Sequence, residues 1–428
     1  MKSLHELVTL AQDTLRKNDK GGYTIPTEGL YPFQWNWDSG ICALGWQTFD
    51  EPRAWQELHY LTKGQWDNGM IPHIIFHGPS DQYFPGPDQW GLQNRTPPTT
   101  SISQPPLLAT VVRILAERAK DKTMAVAELR ALLPSLLAYH RWWYRDRDPH
   151  QTGLVVSFHP WESGMDNSPA WDAALDRVPR VSREYHRRDL EHVDSDQRPL
   201  QAQYDRYLYL VDCFKERQFD SQAIFAHCPY RIQDIGIISI LHRGTLDLID
   251  LSEEYLPEED LSDLYAALKR TVAALPQLWS DDRQAYVNRD MVSNELIHIV
   301  TSGCVLPLYG KILSKDQART MAGHIDRWIA KQPCGLSSTH PDEPAFDPKR
   351  YWQGPSWLHI NWLIANGLDY YGEIATRDTL VAASRRIIDD HGYWEYYNPL
   401  NGEGYGGPNF SWTAAIALYW LLDSESAS

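Results

Sequence analysis

The chain has 428 residues, of which 43% are hydrophobic and 22% charged, so it can bury a large core and disorder is excluded. Its 40 basic and 56 acidic residues leave a net charge of −16, which argues against nucleic acid or an anionic membrane as a partner. No apolar stretch of the sequence approaches the roughly 20 residues needed to cross a bilayer.

Helical periodicity recurs along the whole chain. Apolar residues at i, i+3, i+4 and i+7 predict thirteen helices. These cover residues 3–18, 39–49, 52–64, 101–119, 123–146, 199–216, 234–254, 258–275, 293–312, 315–331, 354–372, 374–390 and 409–423. Alternating strand patterns are scarce, and the best candidate is the short stretch 153–158. The sequence therefore predicts an all-α protein.

The connections between these helices alternate between short and long. Residues 312–315 and 372–374 are short connections, whereas the long loops are rich in Gly, Pro and Trp: 20–38, 64–100, 147–171, 172–198, 332–353 and 391–408. This alternation is typical of concentric helical hairpins with function on the long-loop face. An α-solenoid would show a fixed sequence repeat, which the sequence lacks. We expect residues 1–428 to form one (α/α)6 barrel, a two-shell toroid.

The first loop of chemical interest is Tyr31-Pro-Phe-Gln-Trp35-Asn-Trp37-Asp38, directly before a helix. Aromatic faces stack on pyranose rings, and a carboxylate such as Asp38 accepts hydrogen bonds from sugar hydroxyls. A half-buried strand would give a similar pattern, although Pro32 weakens that interpretation. The stretch Tyr351-Trp352-Gln353-Gly-Pro-Ser-Trp357 repeats the same chemistry before another helix.

Asp166 is the first candidate acid. It follows Trp161-Glu-Ser-Gly-Met and precedes Trp171, and aromatic enclosure would raise its carboxyl pKa enough to keep it protonated near neutrality. An N-cap is the structural alternative for this Asp-Asn-Ser sequence. Glu162, four residues earlier, is the rival acid.

The segment 172–198 is highly charged towards its end and is interpreted as a lid-like loop, although a solvated charge run explains most of it. Arg198 and Tyr204 follow at the head of a predicted helix. A guanidinium at this position could bind a substrate carboxylate through two hydrogen bonds.

Glu395 is the second candidate carboxylate. It lies in Tyr393-Trp-Glu-Tyr-Tyr-Asn-Pro399, ahead of a Gly-rich stretch that suits close approach to a ligand. Glu403 on the same loop is the rival, and a surface glutamate is the structural alternative. Two carboxylates on aromatic loops are the minimum equipment for hydrolysing a glycosidic bond, since one protonates the leaving oxygen and the other activates water or attacks carbon.

Six ordered motifs carry a family resemblance from about residue 20 to the end of the chain. They are Tyr31-Pro-Phe-Gln-Trp-Asn-Trp-Asp-Ser39, Gly69-Met-Ile-Pro-His73, Trp161-Glu-Ser-Gly-Met-Asp166, Tyr351-Trp-x-Gly-Pro-x-Trp357, Glu395-Tyr-Tyr-Asn-Pro399 and Phe410-Ser-Trp-Thr413. This set resembles glycoside hydrolase family 63, above all its small bacterial members that hydrolyse mannosylglycerate or glucosylglycerate. Gln353 departs from the wider family, where arginine is frequent.

The resemblance implies an inverting α-glycosidase with Asp166 as general acid and Glu395 as general base. Inversion implies carboxyl groups about 6.5–9.5 Å apart, which leaves room for a water. The resemblance also implies a set of substrate-binding residues around the sugar and the glycerate: Tyr31, Trp35, Trp37, Asp38, Tyr83, Gln104, Trp161, Gly164, Arg198, Tyr204, Tyr351, Trp352, Trp357 and Trp412. It implies no metal and no cofactor.

Other functions stay open on the sequence alone. An α-glucosidase acting on short oligosaccharides would use the same carboxylates. A sugar epimerase or lyase on the same barrel would use bases such as His73, His159 or His340, and a non-catalytic sugar-binding protein would need neither carboxylate. Five widely spaced cysteines without metal spacing, and a first helix without a signal-peptide apolar run, place the chain in the cytoplasm. The sequence does not decide whether identical chains assemble.

Overall fold

The computed structural model describes residues 2–79 and 83–422, and within them the chain forms fifteen α-helices. They are α1 (Leu4–Asn18), α2 (Asn36–Gln47), α3 (Glu51–Thr62), α4 (Pro87–Trp90), α5 (Leu108–Arg118), α6 (Lys122–Asp146), α7 (Asp172–Asp176), α8 (Gln201–Glu216), α9 (Ser221–His227), α10 (Ile235–Tyr255), α11 (Ser262–Ala274), α12 (Lys315–Ile329), α13 (Leu358–Tyr371), α14 (Ile374–His391) and α15 (Ser411–Ile416). A π-helical turn, Ala417–Leu421, extends the last of them.

The large helices form two concentric shells. Around the inner shell α2 packs on α5, α5 on α10, and α13 on α15, which closes back on α2. Around the outer shell lie α1, α3, α6, α11, α12 and α14, each packed against an inner partner. The amphipathic patterns explain the division: every residue of α2 is buried, whereas α12 buries only one stripe and turns its charges outward. The predicted all-α toroid is confirmed.

The sixth inner position is not a helix, and the predicted helix over residues 293–312 is wrong. Glu295–Ile297 is a strand, and a 3-10 turn at Ser302–Val305 leads into further turns up to Gly310. Helical apolar spacing is present there, but Gly303 costs helix stability and Pro307 supplies no N–H. The turns still fill the place between α10 and α13, since His242 donates to the Gly310 carbonyl at 2.7 Å.

The other twelve predicted helices are present, with shifted ends. The helix predicted from residue 101 begins only at Leu108, because Pro105 and Pro106 hold the preceding residues extended. Aspartates in two short connections cap the helices that follow. Asp50 accepts the Arg53 N–H at 3.2 Å at the start of α3, and Asp121 accepts the Met124 N–H at 2.9 Å at the start of α6.

Within the described residues, ten short strands lie in the connections between helices. They are β1 (Gln34–Trp35), β2 (Ile74–Ile75), β3 (Val156–Ser157), β4 (Ile232–Gln233), β5 (Trp279–Ser280), β6 (Ala285–Tyr286), β7 (Asn288–Asp290), β8 (Glu295–Ile297), β9 (Trp394–Tyr397) and β10 (Gly404–Pro408). The four strands β3-β4-β7-β8 form one antiparallel sheet, and the rest form pairs. The strand predicted within 153–158 is thus confirmed as β3.

The inner helices point their N-termini at the long loops. The first turns of α2, α13 and α15 therefore meet beneath one face of the toroid, and a second hydrophobic cluster, centred on α8 and residues 156–178, packs above them. This arrangement brings segments that are hundreds of residues apart to one place. In the described ranges, no helix is long and apolar enough to cross a membrane.

Candidate active site

One cavity on the long-loop face collects nearly all of the residues that the sequence nominates. Its wall consists of Pro26, Tyr31, Trp35, Trp37, Asp38, His73, Tyr83, Gln104, Trp161, Gly164, Asp166, Arg198, Pro199, Tyr204, Tyr351, Trp352, Glu395, Phe410 and Trp412. Both candidate carboxylates belong to this wall, although 229 positions separate them along the chain (395 − 166). Among the residues that the family resemblance implies for catalysis and substrate binding, Trp357 alone is absent from this wall.

Asp38 and Trp37 are placed by the first turn of α2. The β1–β2 pair fixes the entry to this helix, and the Asn36 N–H donates to the His73 carbonyl at 3.1 Å. Gly164 lies against the Trp37 ring, where an added Cβ would come within 2.6 Å of the indole, so only glycine fits. Burial, together with the neighbouring Glu395 and Asp166, raises the pKa of Asp38 well above its usual range.

Asp166 lies on a loop between two 3-10 turns, Pro160–Ser163 and Pro169–Trp171. The Tyr207 hydroxyl donates to the Asp166 backbone carbonyl at 2.8 Å, and this fixes the loop from the side of α8. Burial raises the pKa of Asp166 to about 7, helped by the charge of Glu395 and opposed by Arg198. The side chain is therefore substantially protonated at neutral pH, as a proton donor must be.

Glu395 projects from the β9–β10 hairpin and is 1% exposed. Its Oε1 accepts a 2.9 Å hydrogen bond from the Tyr31 hydroxyl, and its Oε2 accepts the Gly407 N–H at 3.3 Å. Gly406 has φ +71°, and a Cβ there would come within 2.2 Å of Oε2, so the hairpin needs glycine to hold the carboxylate.

The charge state of Glu395 is set by opposing effects. Burial raises its pKa, whereas the Arg198 guanidinium and the Tyr31 hydroxyl lower it. Nη1 of Arg198 lies 3.9 Å from Oε1, near enough to stabilise negative charge without a direct hydrogen bond. The net effect is still a raised pKa for Glu395, as for Asp166, but Glu395 accepts hydrogen bonds from the Tyr31 hydroxyl and the Gly407 N–H that stabilise its ionised form.

Tyr351 connects the acid loop to the base hairpin. Its hydroxyl lies 3.2 Å from that of Tyr31, and hydrogen bonding from Tyr351 lowers the pKa of both Asp166 and Glu395. Its backbone adopts φ +38°, an unfavourable conformation for a side chain of this size. The adjoining Trp352 N–H donates to Oδ1 of Asn167 at 2.8 Å, which ties this segment to the residue after Asp166.

A stack of aromatic rings supports the floor of the cavity. Trp357 stacks on Trp352 with ring centroids 3.8 Å apart and on Tyr396 at 4.6 Å. It is 1% exposed and lies one layer below the cavity surface. The family resemblance implied substrate contact for Trp357, but the structure gives it a supporting position. Trp412, from the first turn of α15, does reach the surface.

The same cavity wall carries the residues implied for glycerate. Arg198 donates through Nη1 to the Tyr31 hydroxyl at 2.7 Å, and its guanidinium lies 4.3 Å from the Tyr351 ring. Tyr204 donates to the Phe84 carbonyl at 3.0 Å. Gln104 accepts the Trp37 N–H through Oε1 at 3.3 Å, so its amide NH2 stays available to a ligand.

The rival carboxylates lie outside the cavity wall. Glu162 is fully buried behind it, ion-paired with Arg147, and accepts the Phe158 N–H at 2.9 Å. Glu403 is exposed and accepts the Tyr405 hydroxyl at 2.8 Å. Asp166 and Glu395 are therefore the pair that a ligand in the cavity would contact.

The cavity also includes residues outside the implied substrate-binding set: Pro26, His73, Pro199 and Phe410, of which only His73 was named, as a base for the epimerase or lyase alternative. His73 is the most informative, because its Nδ1 is buried without a hydrogen-bond partner in the described part of the chain. Burial and the neighbouring His159 hold its pKa well below the usual range, so the ring is neutral. Its place in the motif Gly69-Met-Ile-Pro-His73 was a signal that could have nominated it.

Histidine chemistry has little support at this site. His159 uses both ring nitrogens, donating from Nε2 to the Tyr207 carbonyl at 3.1 Å and accepting the Trp161 N–H at 3.0 Å. His340 packs on Trp328 of the outer shell and lines a different cavity. Of the three histidines proposed as bases, only His73 borders the site.

Comparison with known proteins agrees with this geometry. Residues 31–413 match the family model described as the mannosylglycerate hydrolase MGH1-like glycoside hydrolase domain. The chain is 45% identical to a mannosylglycerate hydrolase of Thermus thermophilus over 96% of its own length and 99% of the relative's. It is 34% identical to a glucosylglycerate hydrolase of Mycolicibacterium hassiacum, covering 97% of this chain and 98% of the relative.

A solved structure gives the same result. The crystal structure of the glycoside hydrolase family 63 mannosylglycerate hydrolase from Thermus thermophilus in complex with Tris and D-glycerate superposes with a TM-score of 0.93 at 44% identity. The match covers 97% of this chain and 99% of the solved chain. The chain therefore belongs to the mannosylglycerate hydrolase MGH1-like glycoside hydrolases of family 63.

Proposed function

We propose that this chain hydrolyses the α-glycosidic bond of glucosylglycerate or mannosylglycerate, releasing the free sugar and glycerate with inversion at the anomeric carbon. The observation that carries the proposal is the pairing of Asp166 and Glu395 in one cavity wall, where burial raises the pKa of Asp166 to about 7 and where the Tyr31 hydroxyl and the Gly407 N–H both donate hydrogen bonds to Glu395. Pairs of this kind identify the acid and the base of a glycosidase.

In the proposed reaction, protonated Asp166 donates its proton to the glycosidic oxygen as the bond to the anomeric carbon breaks. A water on the opposite face of the sugar loses a proton to ionised Glu395 and attacks the same carbon. The glycerate hydroxyl thus leaves with the proton of Asp166. Proton exchange with solvent then restores both carboxyl groups.

The proposed aglycone is a small carboxylate. The chain carries −16 net charge, so an anionic substrate needs a local cation, and Arg198 is the cation of the cavity wall. Its guanidinium can form two hydrogen bonds with a carboxylate. The mannosylglycerate hydrolase structure with bound D-glycerate, and the names of both curated relatives, support this substrate class.

We place the remaining roles by the same reasoning. Tyr31, Trp35, Trp37, Asp38, Trp352 and Trp412 would hold the sugar, while Tyr83, Gln104, Arg198 and Tyr204 would bind the glycerate. We also propose that the chain acts as one catalytic domain, since its cavity draws residues from Pro26 to Trp412. Five unpaired, buried cysteines support a reducing compartment such as the cytoplasm.

A substrate panel tests the proposal. Purified protein is incubated with α-mannosylglycerate, α-glucosylglycerate, the two matching glycolate glycosides and maltose, and the released sugar is measured. We expect kcat/KM to be highest for one of the two glycerates. Preference for maltose would favour an α-glucosidase instead, and an isomerised or unsaturated product would favour an epimerase or lyase.

A further inference from the structure

We propose that Asp189, in the lid-like segment 172–198, is a positioning residue that holds Arg198 between the base and the substrate carboxylate. The inference rests on the proposed function and adds to it a residue outside the cavity wall. Asp189 touches no cavity surface, and it would act only through Arg198.

Asp189 is the anion shared by two guanidinium groups. Its Oδ1 accepts from Nε of Arg187 at 3.1 Å and its Oδ2 from Nη2 of Arg187 at 2.6 Å, a bidentate pair. Oδ2 also accepts from Nε of Arg198 at 3.2 Å. The side chains of Arg187, Asp189 and Arg198 are 4%, 11% and 7% exposed, respectively, so they form a buried cluster.

The lid is fixed around this cluster. Arg187 donates to the Pro199 carbonyl at 2.8 Å and lies 4.3 Å from the Tyr204 ring, so it braces the start of α8. At the other end, Tyr396 donates to the Gln197 carbonyl at 2.7 Å, and the Gly406 N–H donates to Oε1 of Gln197 at 3.0 Å. The lid therefore contacts the same hairpin that carries Glu395.

Arg198 lies between two anions. Its Nε binds Asp189, while its Nη1 binds the Tyr31 hydroxyl and lies 3.9 Å from Glu395. Without Asp189, the guanidinium would have one anionic neighbour left and would move onto Glu395. A closer, hydrogen-bonded pair there would hold the base away from its water and withdraw the guanidinium from the substrate carboxylate.

The charge of Asp189 also sets how strongly Arg198 acts on the two catalytic carboxyls. Around Glu395 the facing groups are Arg198, Tyr31, Tyr351, Tyr396, Asp38 and Asp166. Around Asp166 they are Arg198, Glu395, Asp38, Tyr351, Tyr83 and Tyr207. Arg198 is the cation common to both sets, so neutralising Asp189 leaves more of its positive charge uncompensated and both carboxyl pKa values should fall.

The test is a set of lid variants measured for kcat, KM and the pH profile of kcat/KM. Asp189→Asn should lower kcat/KM on the order of 10²-fold, mainly through kcat, because the base and the guanidinium are misplaced. Both limbs of its profile should move to lower pH by roughly half a unit to one unit. Arg187→Gln removes a positive charge from the same cluster and should move both limbs the opposite way. Asp189→Glu should recover most of the lost kcat.

Glu191→Gln is the matched control, since it removes the same charge two residues away, where Glu191 pairs with His186 and Arg188 in an exposed position. We expect its kcat/KM to stay within twofold of wild type. Unchanged pH limbs in both Asp189→Asn and Arg187→Gln, or wild-type kcat/KM in Asp189→Asn, would overturn the inference.

A titration that needs no turnover separates this inference from the proposed function. The carboxyl groups of ligand-free protein with ¹³C-labelled Asp and Glu are titrated by NMR, and Asp166 and Glu395 are assigned with Asn and Gln variants. The pKa of Glu395 should fall in Asp189→Asn and rise in Arg187→Gln. A wild-type chain that hydrolyses neither glycerate would refute the function, while equal Glu395 pKa values in all variants would refute the role of Asp189.

Discussion

The Tyr31 hydroxyl lies 2.9 Å from Oε1 of Glu395, and it donates this hydrogen bond while accepting one of 2.7 Å from Arg198. The two residues are 364 positions apart in the chain. Tyr31 thus bridges Arg198 and the proposed base by two hydrogen bonds, while Nη1 of Arg198 itself stays 3.9 Å from Oε1 of Glu395. A hydrogen bond of this kind favours the ionised carboxyl.

Replacing Tyr31 by Phe should weaken the base while keeping the ring contacts. We expect kcat to fall about 10- to 100-fold, since a hydrogen bond to a charged group contributes about 1.5–3 kcal/mol. The pKa of Glu395 should rise, so the acidic limb of the kcat/KM profile should move to higher pH. Tyr405→Phe, outside the cavity, is the control, and equal effects of both changes would contradict the role given to Tyr31.

Asp166→Asn should depend on the leaving group. For a glycerate glycoside, loss of the acid should lower kcat/KM by about 10²–10⁴-fold. For an α-glycosyl fluoride, whose leaving group needs little protonation, the loss should be far smaller. Glu395→Gln should lose activity on both substrates. The assignment would be reversed if the fluoride restored activity to Glu395→Gln and not to Asp166→Asn.

The pH profile of kcat/KM should be bell-shaped. Burial raises the pKa of Asp166 to about 7, so the protonated acid is lost as pH rises through neutrality and activity should fall there. The acidic limb belongs to protonation of Glu395, whose pKa is raised by burial and lowered by Arg198. Because the two carboxyls interact, the limbs report the pair. Activity that keeps rising well above pH 8 would contradict this account.

Substitutions of the two rival glutamates should distinguish an effect on stability from an effect on catalysis. Glu162→Gln leaves the buried Arg147 without its anion and should lower the free energy of unfolding by about 3–5 kcal/mol, measured by urea denaturation. Its kcat per folded molecule should fall far less than that of Asp166→Asn. Glu403→Gln should change neither quantity, because Glu403 is exposed. A catalytic loss in Glu403→Gln as large as in Glu395→Gln would refute the choice of base.

The fold could be predicted from helical periodicity because amphipathic outer helices and apolar inner helices both repeat every 3.6 residues. Residues 293–312 carry that spacing as well, yet tertiary packing and Pro307 force turns into the sixth inner position. Short elements such as α9 could not be predicted, because a seven-residue helix shows too little periodicity.

The aromatic loops that carry carboxylates were enough to predict the candidate site. They were not enough to predict which residues line the cavity and which lie behind it. The local sequence does not show that Trp352 lines the cavity floor while Trp357 lies below it, since both residues belong to the same motif. Likewise, Glu162 and Asp166 share one loop, and only the buried partner Arg147 shows that Glu162 is structural. The role proposed for Asp189 could not be predicted either, because it depends on contacts with Arg187 and Arg198 in a loop whose sequence has no periodic pattern.

The measurement that tests the central claim most directly is the stereochemistry of the first product. Wild-type protein at high concentration is mixed with its preferred α-glycosylglycerate, and the anomeric proton of the released sugar is followed by NMR before mutarotation. A water activated by Glu395 opposite Asp166 predicts that the β-anomer appears first. Initial release of the α-anomer would show retention and contradict the proposed roles of both carboxylates.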